Sequence, residues 1–244
     1  FFSLLVDCTF HFLGRTMKIV YYFDTISPYS ALSWKVLRKY QSLWGFDLVL
    51  KPVFLAGIMQ ETKNIPPGML PQRARLLDRD LNRSAEHFGQ PILRMPTNFF
   101  THAVPASIKF QRLLCASQHA NLDREQIEEI IDSLTNGIHL DKSLRDDKNS
   151  LILDGDFISQ RLEKAGINKQ LSASLQTDSQ SLDVKELLKS NTNEAIRAGA
   201  YGVPTMLITA KQFKKPELFF GSDRFEQIAF LTGNKWLGPN VAIL

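Results

Sequence analysis

Residues 18–30 read KIVYYFDTISPYS. The first half is β-branched and aromatic, the composition of a buried strand, and the reading places a strand over 18–24. The second half turns helical. Pro28 suits the first helical position, where its missing N–H costs nothing, and Ser27 becomes the N-cap. Beyond it Leu32, Val36, Leu37, Tyr40, Leu43 and Trp44 recur at helical spacing and form one apolar face. DLVLKPV, 47–53, alternates and reads as a second strand. Strand, helix and strand of these lengths favour a parallel pair with a right-handed crossover.

Working outward, Ala56 to Leu70 holds Gly57, Asn64, Pro66, Pro67 and Gly68 and reads as a non-helical loop. A long helical stretch follows, with helix-period apolar positions over 71–88, 102–120, 123–139, 155–166 and 181–200. Gly89, Gly137 and Gly166 are read as helix stops. The strand pattern returns at VPTMLITA, 203–210, then ELFFG, 217–221, joined by the basic turn KQFKK. A short helix from Ser222 to Gly233 follows, with Asp223 and Glu226 in capping-box spacing. The order βαβ, helical block, ββα predicts an α/β fold: a thioredoxin-like domain of residues 17–67 and 190–244, with an inserted all-helical domain of 68–189. Residues 1–16, apolar and lying ahead of Met17, are expected to be a disordered N-terminal extension; the alternative is the remnant of a targeting presequence.

Composition narrows the function. The chain has 244 residues, 44% hydrophobic and 22% charged, with net charge +4. That balance is globular, and the charges are interspersed rather than clustered, which argues against nucleic-acid binding. Cys8 and Cys115 are far apart, so neither a disulfide framework nor a cysteine metal cluster is expected, and the usage fits a reducing compartment. Cys115 reads as a small buried hydrophobe. No apolar run is long enough to span a membrane. The histidines at 11, 87, 102, 119 and 139 show no ligand spacing, so no metal is assigned. The C-terminal VAIL is not of the SKL type.

Three small motifs could carry chemistry. SPYS, 27–30, is either an ordinary helix cap or a hydroxyl at a helix N-terminus, where free N–H groups and partial positive charge favour an anion such as a thiolate. Thioredoxin-like proteins place Cys-x-x-Cys at this junction; serine at both ends means that a sulfur would have to come from a ligand. GVPT, 202–205, is either the start of an edge strand with a trans proline, or a cis proline whose preceding residue, Val203, offers its backbone to an extended peptide. FGSDR, 220–224, is either a capped helix start or a turn in which Ser222 holds a carboxylate and Asp223 an ammonium. Arg73, Arg75, Arg79 and Arg83 read as a solvated face or as a rim attracting acidic ligands.

These motifs occur in the order one family requires. The stretches FDTISPYSALSWKVL, AGIMQETKNIPPGMLP, GAYGVPTML and LFFGSDRFEQIAFLTGNKWLGP resemble the kappa-class glutathione transferases, which share a DsbA-like fold. The resemblance runs from Met17 nearly to the C-terminus. It implies a detoxifying transferase that uses glutathione as co-substrate, with no tightly bound cofactor, and conjugates it to a small electrophile. Ser27 would be the catalytic hydroxyl beside the glutathione sulfur, with Pro28 and Tyr29 in the same box. Asn64 would lie in the loop that contacts glutathione and Arg73 near its glycine carboxylate. Val203 would give the antiparallel backbone pair before Pro204, and Ser222 and Asp223 would hold the γ-glutamyl end. The family is homodimeric and occurs in mitochondria and peroxisomes, which implies an intracellular protein; the C-terminal VAIL argues against the peroxisomal address, and the cytoplasm is the alternative. A glutathione-dependent isomerase like the 2-hydroxychromene-2-carboxylate isomerases, a DsbA-type thiol oxidoreductase lacking its cysteines, and a non-enzymatic binding module are the rival readings.

Overall fold

The computed structural model describes residues 17–90 and 94–241. The extension 1–16, with Cys8 and His11, lies outside them, as do the last three residues. Strand β1 (Met17–Phe23), helix α1 (Pro28–Trp44) and strand β2 (Asp47–Pro52) open the fold. β1 runs parallel to β2 on one side and antiparallel to β3 (Thr205–Ala210) on the other, and β3 pairs antiparallel with β4 (Glu217–Phe220). The sheet order is β2-β1-β3-β4. Its central pair joins distant parts of the chain: Ile19 faces Ile208 and Tyr21 faces Met206, all fully buried. Much of β1 is covered on both faces, which is why KIVYYF reads as a nearly continuous apolar run.

The connection from β2 to β3 is helical: α2 (Leu55–Thr62), α3 (Pro71–His87), α4 (Val104–His119), α5 (Arg124–His139), α6 (Phe157–Lys164), α7 (Lys169–Asp178) and α8 (Leu182–Arg197). α9 (Phe225–Thr232) follows β4. The architecture is a thioredoxin-like sheet with a helical insertion. α1 ties the two together. Trp34 donates to Asp132 on α5 at 2.9 Å, and Arg38 bonds both Asp132 and Glu128 there.

Several expectations fail for identifiable reasons. The stretch from Ala56 to Leu70 is a loop only beyond Thr62, apart from a short 3-10 turn at Pro67–Met69: α2 forms through Gly57, whose absent Cβ would stand 3.2 Å from the Phe54 ring and 3.7 Å from Thr192 of α8. Gly137 is not a stop either. It lies inside α5, where a Cβ would meet the Arg161 side chain at 2.7 Å. Both glycines admit a close neighbour rather than end a helix. α7 was not anticipated; it is polar, and its start is set by Asn168, whose side chain accepts from Leu171 N. Leu43 turns away from the predicted apolar face and is 45% exposed. The capping box at Asp223 does not form: the N-cap of α9 is Arg224, without a side-chain hydrogen bond.

Candidate functional site

Ser27 caps α1 as its position demands. Its backbone is extended (φ −79°, ψ 119°), and its Oγ accepts from the Ser30 amide at 3.2 Å. The cap uses an oxygen lone pair and leaves the hydroxyl proton available. That proton faces the Val203 carbonyl oxygen at 3.4 Å, a long contact for a hydroxyl donor. Ser27 is buried, yet it lines a cavity of about 490 Å³. A hydroxyl whose donor is weakly engaged, at the positive end of a 17-residue helix, is a site for an anionic ligand atom. Ser30, at the other end of the box, does not line the cavity, and its buried Oγ has no partner among the described residues.

The nine residues that the resemblance assigns to glutathione all line this one cavity. Ser27, Pro28 and Tyr29 come from the start of α1, Asn64 from the segment after α2, and Arg73 from α3. Val203, Pro204, Ser222 and Asp223 come from the segments flanking β3 and β4. The Val203–Pro204 peptide is cis. The Val203 amide N–H donates to no described residue. Asn64 Nδ2 donates to the Tyr201 carbonyl at 2.7 Å and so ties the segment after α2 to the one before β3. Gly221 turns the chain with φ +100°, and a Cβ there would stand 2.8 Å from Asp223 Oδ1. Ser222 is buried in that turn, whereas the Asp223 carboxylate is 66% exposed and lies 3.6 Å from Arg224.

Of the opposite wall the sequence pointed only to Arg73. Arg73, Leu77, Asp80 and Ser84 line the cavity from α3, spaced as one face of a helix. Arg75, Arg79 and Arg83 are off that face, so the basic run divides into one cavity residue and three outside it. The Tyr29 hydroxyl donates to Asp80 Oδ2 at 3.3 Å across the mouth. Burial, then Asp80, then Asp223 push the Tyr29 phenol up to about 12, so it stays protonated near neutrality. Met59, Met95, Phe99 and Phe100 make the rest of this wall apolar. The cavity therefore lies between the start of α1 with the segments beside β3 and β4 on one side and α3 with Phe99 and Phe100 on the other.

Behind Ser27 lies a second set of residues that sequence reading missed. Asp24 is fully buried. Its carboxylate accepts from Ile26 N and Leu55 N at 3.1 Å, from Ser107 Oγ at 3.1 Å and from Gln111 Nε2 at 3.0 Å. Burial raises its pKa to about 6 against the lowering effect of those donors. Gln111 also reaches Thr25 Oγ1, and His139 Nε2 lies 2.8 Å from the Thr25 carbonyl. Burial holds His139 down at about 4, so it is neutral at pH 7 and donates through Nε2. The available signal was Ser107 and Gln111 at i,i+4, two polar residues on a buried helix face. Cys115 is buried and its thiol is pushed up to about 12, the behaviour of a packing residue. Among the described residues no His, Cys, Asp and Glu group could hold a metal, and no helix is long and apolar enough to cross a membrane.

Comparison with known proteins gives a consistent picture. The model of the DSBA-like thioredoxin domain matches residues 18–231. Glutathione S-transferase kappa 1 of Homo sapiens is 32% identical over 234 residues, covering 93% of this chain and 95% of that protein. Glutathione S-transferase kappa 2 of Caenorhabditis elegans is 30% identical, covering 91% and 95%. Among solved structures, a 2-hydroxychromene-2-carboxylate isomerase superposes with a TM-score of 0.68 at 20% identity, over 88% of this chain and 94% of the other, a likeness of fold.

Proposed function

The chain belongs to the kappa-class glutathione S-transferases within the DSBA-like thioredoxin domain family, and from that premise we propose that the cavity at Ser27 binds glutathione as its thiolate and transfers it to a small electrophile. The observation that carries this reading is the Ser27 hydroxyl. Its oxygen is committed to the Ser30 amide, while its proton has only the 3.4 Å contact with Val203 O and can turn to a sulfur in the cavity.

The energies suffice. A thiol of pKa near 8.5 is about 3% ionised at pH 7, and lowering it by about two units needs roughly 2.7 kcal/mol of selective stabilisation. One hydrogen bond to a charged group contributes about 1.5–3 kcal/mol, and a helix terminus about 0.3–1. The displaced proton leaves to solvent. The thiolate then forms a C–S bond at the electrophilic carbon, and a leaving group such as chloride departs with its electron pair. In an addition, water supplies the proton to the new anion instead.

The other residues divide the tripeptide among them. The free Val203 N–H and its carbonyl face the cysteinyl backbone beside Pro204, with Pro28 and Tyr29 forming the floor. Ser222 and the turn amides take the γ-glutamyl carboxylate, Asp223 its ammonium, and Arg73 the glycine carboxylate. Asn64 holds its loop against Tyr201 so that these groups face one ligand. The apolar wall takes the electrophile. A homodimer in mitochondria or peroxisomes completes the reading and rests on the family resemblance. The test is direct: purified protein with glutathione and an aryl chloride should release chloride well above the uncatalysed rate. Isomerisation of a glutathione-dependent substrate without conjugation would replace this function with the isomerase reading.

A further inference from the structure

Asp24 lies next to the site without lining it, and its surroundings are unusual for a buried carboxylate. Among the described residues no cation touches it, and its four partners are two backbone amides, a hydroxyl and a carboxamide. These donors come from three places. Ile26 belongs to the turn that ends in Ser27, Leu55 begins α2, and Ser107 and Gln111 stand on α4 in the helical block. The Asp24 carbonyl meanwhile accepts from Ser27 N at 3.0 Å. One residue thus fixes the turn before the catalytic cap from both its main chain and its side chain. It also registers that turn against the start of the helix that leads to Asn64.

We propose that Asp24 is a positioning residue for thiolate stabilisation: its carboxylate holds the Ser27 turn, the first turn of α2 and α4 in one register, so that the Ser27 hydroxyl meets the glutathione sulfur in bonding geometry. This rests on the function proposed above. Its consequence has a definite sign. A negative charge behind the site opposes a thiolate by simple Coulomb repulsion, so removing it should lower the pKa of the bound thiol if charge is all that matters. Losing the register should raise that pKa, because the hydroxyl donor is misdirected. Positioning and electrostatics therefore predict opposite shifts. Four donors converge on this one carboxylate, and an asparagine would set its amide protons against at least one of them.

The experiment titrates thiolate absorbance of glutathione bound to the full chain. Wild type is compared with Asp24→Asn, Ser107→Ala and Gln111→Ala. We expect Asp24→Asn to raise the bound-thiol pKa by about one unit; from a wild-type value about two units below 8.5, that is about threefold less thiolate at pH 7. Ser107→Ala and Gln111→Ala, which keep the charge, should raise it by less. They also carry the test if Asp24→Asn does not fold. In a Ser27→Ala background the upward Asp24→Asn shift should vanish, since there is no hydroxyl left to position, and only the small downward effect of the lost charge should remain. A lowered or unchanged thiol pKa in Asp24→Asn, or in both α4 variants where Asp24→Asn is not recovered, overturns the inference while leaving glutathione binding intact. Absence of a bound-thiolate signal in wild type overturns the proposed function and this inference with it.

Discussion

Ser27 Oγ and the Val203 carbonyl oxygen lie 3.4 Å apart although 176 positions separate them in the chain. The whole helical block lies between them in sequence, yet the pairing of β1 with β3 brings the two edges of the site together. The contact is long enough to be exchanged for a better acceptor. In the proposed function a thiolate is that acceptor.

Ser27→Ala tests the exchange. The fold should survive, since losing an N-cap costs about 0.5–2 kcal/mol against a typical stability of about 5–15. The pKa of bound glutathione should rise, and conjugation at pH 7 should fall roughly ten- to hundredfold, the kinetic equivalent of one charge-assisted hydrogen bond. Much of the loss should return at high pH, where the thiol ionises unaided. Thiolate titrations that superimpose for wild type and variant would reduce Ser27 to a helix cap.

Asp223→Asn should weaken glutathione modestly. The carboxylate is 66% exposed and already near Arg224, so screening limits the effect to about 1 kcal/mol, or roughly fivefold in Kd. Calorimetry is the measurement. An unchanged Kd removes Asp223 from ammonium recognition.

Gly221→Ala should do more harm than its size suggests. The backbone there has φ +100°, and the new methyl would come within 2.8 Å of Asp223 Oδ1. A side chain held in that region costs about 1–3 kcal/mol. Denaturant unfolding should show the loss, and glutathione affinity should fall because Asp223 is displaced. Wild-type affinity in the variant would mean that the turn's shape does not matter to binding.

His139 gives a pH signature to stability. Its pKa falls from 6.5 unfolded to about 4 in the folded chain, so the unfolded state takes up a proton first on acidification. The stability linked to the neutral ring is complete above pH 6.5 and is lost as pH drops toward 4. Gln at this position keeps a donor for Thr25 O without titrating. Wild type should therefore lose thermal stability relative to His139→Gln across that window. A Tm difference independent of pH from 7 to 4 contradicts the assignment.

The sheet and both polar edges of the site were legible because their signals are local. Pro28 and Ser27 announce a helix start, the strand composition of β1 is dense, and GVPT and FGSDR punctuate strand ends. What stayed hidden depended on neighbours remote in sequence. Gly57 reads as a breaker until Thr192 stands beside it, and Gly137 until Arg161 does. Asp80 looks like any surface carboxylate among arginines until Tyr29 is opposite it. Asp24 resembles an ordinary turn residue until α4 covers it. A single chain shows its own periodicity; it does not show which turn of a distant helix fills the space above a given atom.

The two walls of the cavity are anchored unequally. α1 buries residues along most of its length, from Pro28 to Tyr40, and beyond its ties to α5 its far end is held by Tyr40 and Trp44 through bonds to Gly238 and Lys235. α3 buries nothing before Leu81, and Tyr29 meets it across the cleft by one exposed hydrogen bond. One wall is rigid and the other compliant. Under the proposed function the firmly held wall carries the Ser27 hydroxyl that must meet a sulfur, while the loosely held one can give way to electrophiles of different bulk. Tolerance of varied electrophiles and precision at the sulfur then need not compete, because different helices bear them. Amide hydrogen exchange should record the division, with Pro71–Asp80 opening far more often than the first three turns of α1.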